Sequence, residues 1–379
     1  MYDFIVVGAG IAGASVTYEL ARFARVCLIE SEGRPGLHAT GRSAALFAPS
    51  YGGREFRALT RASRAFLDHP PSGFTDHALL QARECLYIAR EDQRAQLAHM
   101  VHDIQSSGGS LAPVTEKYAI TRVPLLRKEY VAEAALDRDA MDIDVDGLQQ
   151  GFLRAARAAG ATLMTNAHVG TVERRDGVWS IQLSEGVVSA PVIINAAGAW
   201  SDEVAKACGV LAIGLQPLRR TALLVDPPAG VDIREWPAVI DADEQFYFKP
   251  DAGKLLISPA DETPGEPGDA YPDDMDVAIA VDRVQAALDI DVRRVSHSWA
   301  GFRTFSPDRA PVVGFDPEVA GFFWCAGQGG YGIQTAPALS RTAAALAKNE
   351  NLPPDVAAEG LAAEDLSPIR FGSSRSGKS

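Results

Sequence analysis

The 379-residue chain has only four cysteines, Cys27, Cys85, Cys208 and Cys325, scattered and without a CxxC pair. That pattern excludes a disulfide-stapled scaffold and a thiolate metal site, and reduced thiols are expected, as in the cytosol. Positive charge is also scarce: 36 Lys and Arg stand against 49 Asp and Glu, a net charge of −13, so no basic groove for nucleic acid is expected. No apolar run approaches the ~18 residues that a membrane helix needs. The first apolar run starts at Phe4 and leaves no room for a signal peptide. A cytoplasmic location is expected, with peripheral attachment to an inner membrane left open. His99 and His102 lie three apart on a predicted helix, but no further His, Cys or acid joins them. Surface positions are expected there, and no metal site.

Glycine is plentiful, 34 residues, and its placing carries the reading. The apolar run at 4–7 predicts a buried strand that breaks into Gly8-Ala9-Gly10-Ile11-Ala12-Gly13. A helix is predicted over 15–23 and a second strand over 26–29, ending on Glu30. Gly8 allows a tight turn, Gly10 lets the backbone approach a pyrophosphate, and Gly13 lets helix and strand pack closely. The helix N-terminus can then aim its N–H groups at phosphate. Glu30, 22 residues after Gly8, stands where a carboxylate reaches ribose hydroxyls. At 47% hydrophobic residues, the chain has material for a sizeable core and two domains.

The loop at 31–49 contains Thr40-Gly41-Arg42-Ser43-Ala44-Ala45, which suits either a second approach to a cofactor or an ordinary capped turn. An amphipathic helix is predicted over 54–67, with Phe56, Leu59, Ser63 and Phe66 inward and Arg54, Arg57, Arg61 and Arg64 as a solvated basic face. A strand over 79–89 and a helix over 91–106 follow. Asp142, Asp144, Asp146 and Gly147 spell half of a calcium loop, but its twelfth position is Leu153. Asp144 or Asp146 is therefore expected to cap a helix running to 159. Strands are predicted at 162–165, 170–174, 178–183 and 192–195, the last entering a turn at Gly198. A different, antiparallel sheet is expected from 218–225, 245–249 and 254–258. A loop at 261–274 and a helix at 277–288 come next. The strand at 321–325 runs into Gly327-Gln328-Gly329-Gly330-Tyr331-Gly332 and a helix at 335–348, a second anion-friendly helix N-terminus. The terminal GSSRSGKS, 372–379, has the letters of a P-loop, but the chain stops where the helix should follow, so a disordered tail is expected.

Together, GAGIAGAS with Glu30, TGRSAA, VIINAAGAW, and WAGFRTFSPDRAPVVG followed by GFFWCAGQGGYGIQT resemble the FAD-dependent amine and amino-acid oxidoreductases of the D-amino-acid oxidase and glycine oxidase superfamily. Within it the chain is most similar to bacterial D-arginine dehydrogenase, through GRSAA, Tyr51-Gly52, RALT-ASRAF, QP-RR, FY-KPDAG, WAG-R and QGGYGIQT. The resemblance implies an α/β fold: a Rossmann-like FAD-binding domain, discontinuous in sequence, and a smaller α+β substrate domain on an antiparallel sheet. The expected cofactor-domain segments are 1–80, 143–215 and 302–366. The substrate domain would take 81–142 and 216–301, and 367–379 would be the tail.

The resemblance further implies one noncovalent FAD. Gly8, Gly10, Ile11, Ala12 and Gly13 would take the pyrophosphate, and Glu30 and Ser31 the adenosine side. Thr40, Gly41, Arg42, Ser43, Ala44 and Ala45 would face the flavin, Val169, Ala197 and Gly198 would complete the cofactor site, and Gly329, Gly330, Tyr331, Gly332 and Ile333 would support the reduced ring. Arg303, Tyr247 and Arg220 would surround a substrate carboxylate, and Tyr51 would belong to a lid. Gly330 and Gln334 would meet the amino group. The implied reaction is hydride transfer from Cα of a D-amino acid to flavin N5, giving an imino acid that water hydrolyses to a 2-oxo acid and ammonia. Oxygen or a quinone-like partner would be the electron acceptor.

The chain departs from the D-arginine dehydrogenase pattern in the lid, where Leu46 and Ala48 replace a histidine and a threonine. It departs again where an acid would meet the guanidinium: Cys85 stands there, with Glu84 one position off. An apolar pocket favouring apolar D-amino acids over arginine is expected. A secondary-amine oxidase of the sarcosine or glycine type is the alternative reading, and a flavin-free binding protein on the same fold a more distant one.

Overall fold

Strand Phe4–Val7 is buried at every position and forms the middle of a six-stranded sheet. Its order is Val312–Phe315, Phe322–Ala326, Val192–Asn195, Phe4–Val7, Val26–Ile29 and Thr162–Met164. All neighbours run parallel except the first pair. Because alternate side chains leave a strand on opposite faces, Phe4, Val6, Val26 and Leu28 join one core cluster and Ile5, Val7, Cys27 and Ile29 another. Against the first face pack the helices Ile11–Ala21, Val145–Ala158 and Gly332–Ala347. Against the second lies a three-stranded antiparallel sheet, Val172–Arg175, Val178–Leu183 and Gly186–Ala190, through Trp179, Ile181 and Leu183. The computed structural model describes residues 1–372.

A second, nine-stranded sheet is built from Ala112–Val114, Glu133–Asp137, Cys85–Ala89, Ala238–Asp241, Tyr247–Asp251, Lys254–Ser258, Gln216–Val225 and Thr263–Pro264, with Val295–Phe305 also paired to Gln216–Val225. It is not wholly antiparallel: Cys85–Ala89 and Ala238–Asp241 run parallel. Strand Val295–Phe305, which carries Arg303, crosses the domain boundary expected at 301/302 as one unbroken element.

Several expectations need correction. The strand read over 79–89 is two strands, Leu80–Ala82 and Cys85–Ala89, split where Glu84 takes φ +64°. The arginines of helix Arg54–Asp68 are a solvated face only in part: Arg54 is exposed, but Arg57 and Arg61 are drawn in. Arg57 is 7% exposed and pairs with Asp103 at 2.8 Å, and Arg61 pairs with Glu359 at 2.7 Å. The tail reading fails for Pro368–Phe371, a short 3-10 helix that buries Phe371. The rest of the P-loop-like stretch, 373–379, lies outside the described residues. Asp144 caps helix Val145–Ala158 as expected, accepting from the Gly147 N–H at 2.9 Å.

Candidate functional site

A cavity of about 520 Å³ opens where the six-stranded sheet meets the Gly8 turn and extends to the nine-stranded sheet. The turn has the shape a dinucleotide requires. Gly8 sits at φ +95°, and a Cβ on Gly13 would fall 1.7 Å from the Gly8 carbonyl oxygen, so a side chain at Gly13 would push helix and turn apart. Gly10 is the residue before helix Ile11–Ala21 and has open approach for a ligand, its nearest neighbour being Thr40 Oγ1.

Three side chains from distant parts of the chain hold this turn. Glu30 Oε2 accepts the Ala9 N–H at 2.8 Å, Thr40 Oγ1 accepts the Ile11 N–H at 3.0 Å, and Gln149 Nε2 donates to the Ala9 carbonyl at 2.7 Å. Gln149 was not foreseen from the sequence. Its only signal there is a polar residue between Leu148 and Phe152, on the buried face of an amphipathic helix. Its Oε1 is buried without a hydrogen-bond partner, an acceptor left over beside the cavity.

Of the residues expected around the cofactor, Gly8, Gly10, Ile11, Ala12, Glu30 and Ser31 line the cavity. Thr40, Arg42, Ser43, Ala44, Val169, Ala197, Gly198, Gly329, Gly330, Gly332 and Ile333 line it as well. Gly13, Gly41, Ala45 and Tyr331 do not line it. Gly41 is there for packing, since a Cβ would come 2.5 Å from the Gly36 carbonyl oxygen. Ala45 gives its carbonyl to Lys249 Nζ at 3.3 Å, and Lys249 pairs with Asp142 at 2.7 Å. Arg42 turns its guanidinium outward, to Asp269 at 2.7 Å and the Ala270 and Ala300 carbonyls. Helix Gly332–Ala347 points its N-terminus into the cavity, where its partial positive charge favours an electron-rich group.

Arg303, Tyr247 and Arg220 line the same cavity. Their environments differ. Arg220 is 7% exposed and already engaged, donating from Nε to the Asp261 carbonyl at 2.8 Å and from Nη2 to Glu262 at 3.2 Å; among the described residues Nη1 has no partner. Its expected place on a substrate carboxylate is thus partly taken by an internal ion pair. Arg303 has one polar contact, Nη1 to the Tyr51 hydroxyl at 3.5 Å, and no carboxylate pairs with it among the described residues. Burial opposes its charge, but Tyr51, Tyr247 and Tyr331 outweigh that and raise its pKa, so it stays a cation. A Cβ on Gly330 would fall 2.7 Å from Arg303 Nη1, so the glycine makes room for the guanidinium.

Tyr51 packs on Tyr331, ring centroids 5.1 Å apart, and its hydroxyl reaches Glu244 at 3.4 Å. Burial and the nearby Glu244 raise the Tyr51 pKa, so it remains a hydrogen-bond donor. Tyr51, Tyr331 and Ser50 line a second cavity of about 860 Å³ rather than the first. Gln334 also departs from its expected role on a substrate amino group, because its Oε1 accepts the Ala48 N–H at 3.0 Å.

The residues expected to touch the far end of a substrate sit one layer back. Ala48 and Cys85 are fully buried and line neither cavity. They belong to an apolar cluster with Ala238 and Ile240, and Leu46, Tyr51 and Tyr247 pack against it. Glu84 faces elsewhere: its carboxylate pairs with Arg122, and with Arg138 at 3.6 Å. Asp137, paired in register with Cys85, is a buried acid not foreseen from the sequence.

The mostly parallel sheet, the glycine turn with its acid and a cavity lined by the Arg303 guanidinium define a dinucleotide-binding scaffold. The chain matches the DAO family, FAD dependent oxidoreductase, over residues 3–346 and belongs to it. Its cofactor is FAD, and the cradle at Gly8, Gly10 and Glu30 fits that group. Among curated proteins it is similar to the uncharacterized oxidoreductase YurR of Bacillus subtilis (strain 168), 24% identical over 91% of this chain and 95% of the relative. It is also similar to glycine oxidase of Geobacillus kaustophilus (strain HTA426), 23% identical over 94% and 95% of the two chains. The crystal structure of Geobacillus kaustophilus glycine oxidase shares the fold with TM-score 0.81 and 22% identity, over 92% of this chain and 95% of that one. L-proline dehydrogenase from P. horikoshii gives 0.82 and 20%, over 98% of each chain. The chain is therefore an FAD-dependent oxidoreductase of this family. Among the described residues no helix is long and apolar enough to cross a membrane.

Proposed function

We propose that the protein deaminates free D-amino acids oxidatively, with apolar side chains preferred over arginine. The observation that carries a carboxylate-bearing substrate is Arg303: a cation lining the cofactor cavity, with three tyrosines around it and, among the described residues, no carboxylate paired with it. A planar carboxylate can take two parallel hydrogen bonds from such a guanidinium. Tyr247 and Tyr51 would orient the same group, with Arg220 Nη1 assisting. The substrate Cα would then lie beside Gly330, in the cavity lined by Gly332 and Ile333. Bound FAD supplies the hydride acceptor. This chain's contribution is orientation: a fixed carboxylate, a fixed Cα, and a helix N-terminus favouring negative charge on the cofactor. The imino acid formed is hydrolysed by water to a 2-oxo acid and ammonia, and oxygen or a quinone-like acceptor takes the electrons. FAD would be held noncovalently. Cys325, in the strand before the turn, is 1% exposed, does not line the cavity, and has its thiol pushed up to about 12 by burial.

The D configuration rests on the resemblance in the FY-KPDAG, WAG-R and QGGYGIQT stretches. The preference for apolar side chains is supported by the direction of Glu84, tied to Arg122 and Arg138, and by the apolar layer behind Tyr51 and Tyr247. Asp137 stands in that layer, but its oxygens accept the Ser50 and Asp139 N–H groups. Each substrate methylene buried against Tyr51 and Tyr247 would gain about 0.8 kcal/mol, whereas a guanidinium buried without its partner costs roughly 3–5 kcal/mol. kcat/KM for D-leucine should therefore exceed that for D-arginine, and Glu84→Ala should leave the ratio unchanged. Wild-type preference for D-arginine, lost in Glu84→Ala, would place that carboxylate in the pocket and refute the reading.

A further inference from the structure

The segment between the short strand Leu46–Phe47 and helix Arg54–Asp68 makes one tight turn, closed by the Tyr51 N–H donating to the Ala48 carbonyl at 3.0 Å. The turn borders the second cavity and reaches the first through Tyr51. Ser50, Tyr51, Gly52 and Gly53 line the second cavity, and the Tyr51 hydroxyl meets Arg303, which lines the cofactor cavity.

The turn is held at two backbone N–H groups by side chains from different parts of the molecule. Gln334, 2% exposed on the first turn of helix Gly332–Ala347, accepts the Ala48 N–H at 3.0 Å. Asp137, completely buried on strand Glu133–Asp137 of the nine-stranded sheet, accepts the Ser50 N–H at 3.2 Å. The Ser50 hydroxyl adds a contact to the buried Tyr87 hydroxyl at 3.1 Å. Gln334 follows directly on Ile333 and Gly332 at the cofactor cavity, so one pin reports the position of the cofactor side and the other that of the substrate sheet. A buried ionisable side chain and a buried amide are costly to keep in an apolar layer unless they are used. One Asp137 oxygen and the Gln334 Oε1 are used on this turn, while among the described residues Gln334 Nε2 has no partner.

We propose that Asp137 and Gln334 are paired positioning residues: together they fix the turn and so set where Tyr51 stands against Arg303. The pairing makes a testable statement about coupling. Either pin alone, once lost, frees the same four-residue turn, so losing the second costs little more. Two unrelated structural roles in separate elements would instead add.

The test is amide hydrogen exchange of residues 46–53 in the FAD-loaded protein, for Asp137→Ala, Gln334→Ala and the double variant. Each single change is expected to speed exchange there by about tenfold or more, the scale of one buried N–H losing its acceptor. The double variant should fall clearly short of the product of the two. FAD content should not change, and exchange in strand Phe4–Val7 should stay protected. Asp137→Asn, which keeps one carbonyl acceptor, should be intermediate and serves where alanine does not fold. Exchange at 46–53 that is unaltered, or strictly multiplicative in the double variant, would overturn the proposal. The kinetic consequence rests on the substrate reading above: KM for a D-amino acid should rise several-fold in each variant, with kcat changing less. If exchange shows the coupling and no D-amino acid is a substrate at all, the pins stand and the substrate reading falls.

Discussion

Arg303→Ala is expected to abolish most turnover while leaving the flavin in place. The guanidinium lines the cavity beside Gly330 but takes no part in the turn that cradles the dinucleotide. Among the described residues it has no carboxylate partner that its loss would strand. What disappears is a charge-assisted pair to the substrate, on a scale of roughly 2–5 kcal/mol, or about thirtyfold to several-thousandfold in kcat/KM. Tyr51 and Tyr247 remain as weaker donors, so activity should be residual and KM should carry much of the change. Arg303→Lys should recover only part of it, because an ammonium cannot make two parallel bonds to one carboxylate. Steady-state kinetics together with the flavin absorbance of the purified variant decide the matter. Loss of flavin with unchanged kinetics in the remaining holoenzyme would make Arg303 a structural residue.

Gly13→Ala should have the opposite signature, removing the cofactor before it affects the substrate. The added Cβ would stand 1.7 Å from the Gly8 carbonyl oxygen, a backbone atom that cannot rotate away. Relief requires moving helix Ile11–Ala21 off the turn, which breaks the Ala9–Glu30 and Ile11–Thr40 contacts and with them the cradle. Overpacking a tight interior usually costs 1–3 kcal/mol, and more where backbone is struck. The protein should be purified largely colourless, with a lowered melting temperature that added FAD restores poorly. A fully yellow Gly13→Ala protein with wild-type stability would show that the turn tolerates displacement and that its geometry has been misjudged.

The cofactor half of the molecule was legible because its physics is local. A buried strand, three glycines with distinct tasks, a helix and an acid fall within thirty residues, and Phe4–Val7 and Val26–Ile29 lie where the pattern put them. The substrate half was harder, since its contacts join distant segments. Nothing in the run at 79–89 signals that Glu84 takes a positive φ, yet that break turns its side chain to Arg122 and Arg138. Gln149, Asp137 and Gln334 hold backbone groups that are 140, 87 and 286 positions away, so composition and periodicity carry no sign of their tasks. Arg220 shows the same limit: its place beside Arg303 was readable, whereas its engagement by Asp261 and Glu262 depends on a loop folded over the sheet. Strand Val295–Phe305 was missed because the polar and charged residues of VSHSWAGFRTF mask its pairing with Gln216–Val225.

The central claim is that the cavity lined by Arg303 receives a D-amino acid with an apolar side chain. Anaerobic mixing of the holoenzyme with a panel of D-leucine, D-phenylalanine, D-arginine, their L counterparts, N-methylglycine and L-proline tests it most directly, because flavin bleaching reads the hydride transfer without an electron acceptor. The account predicts rapid bleaching by D-leucine and D-phenylalanine, slower bleaching by D-arginine, and none on that timescale by the L-amino acids or the secondary amines. Bleaching by N-methylglycine or L-proline while D-leucine leaves the flavin oxidised would contradict it and assign the site to secondary amines.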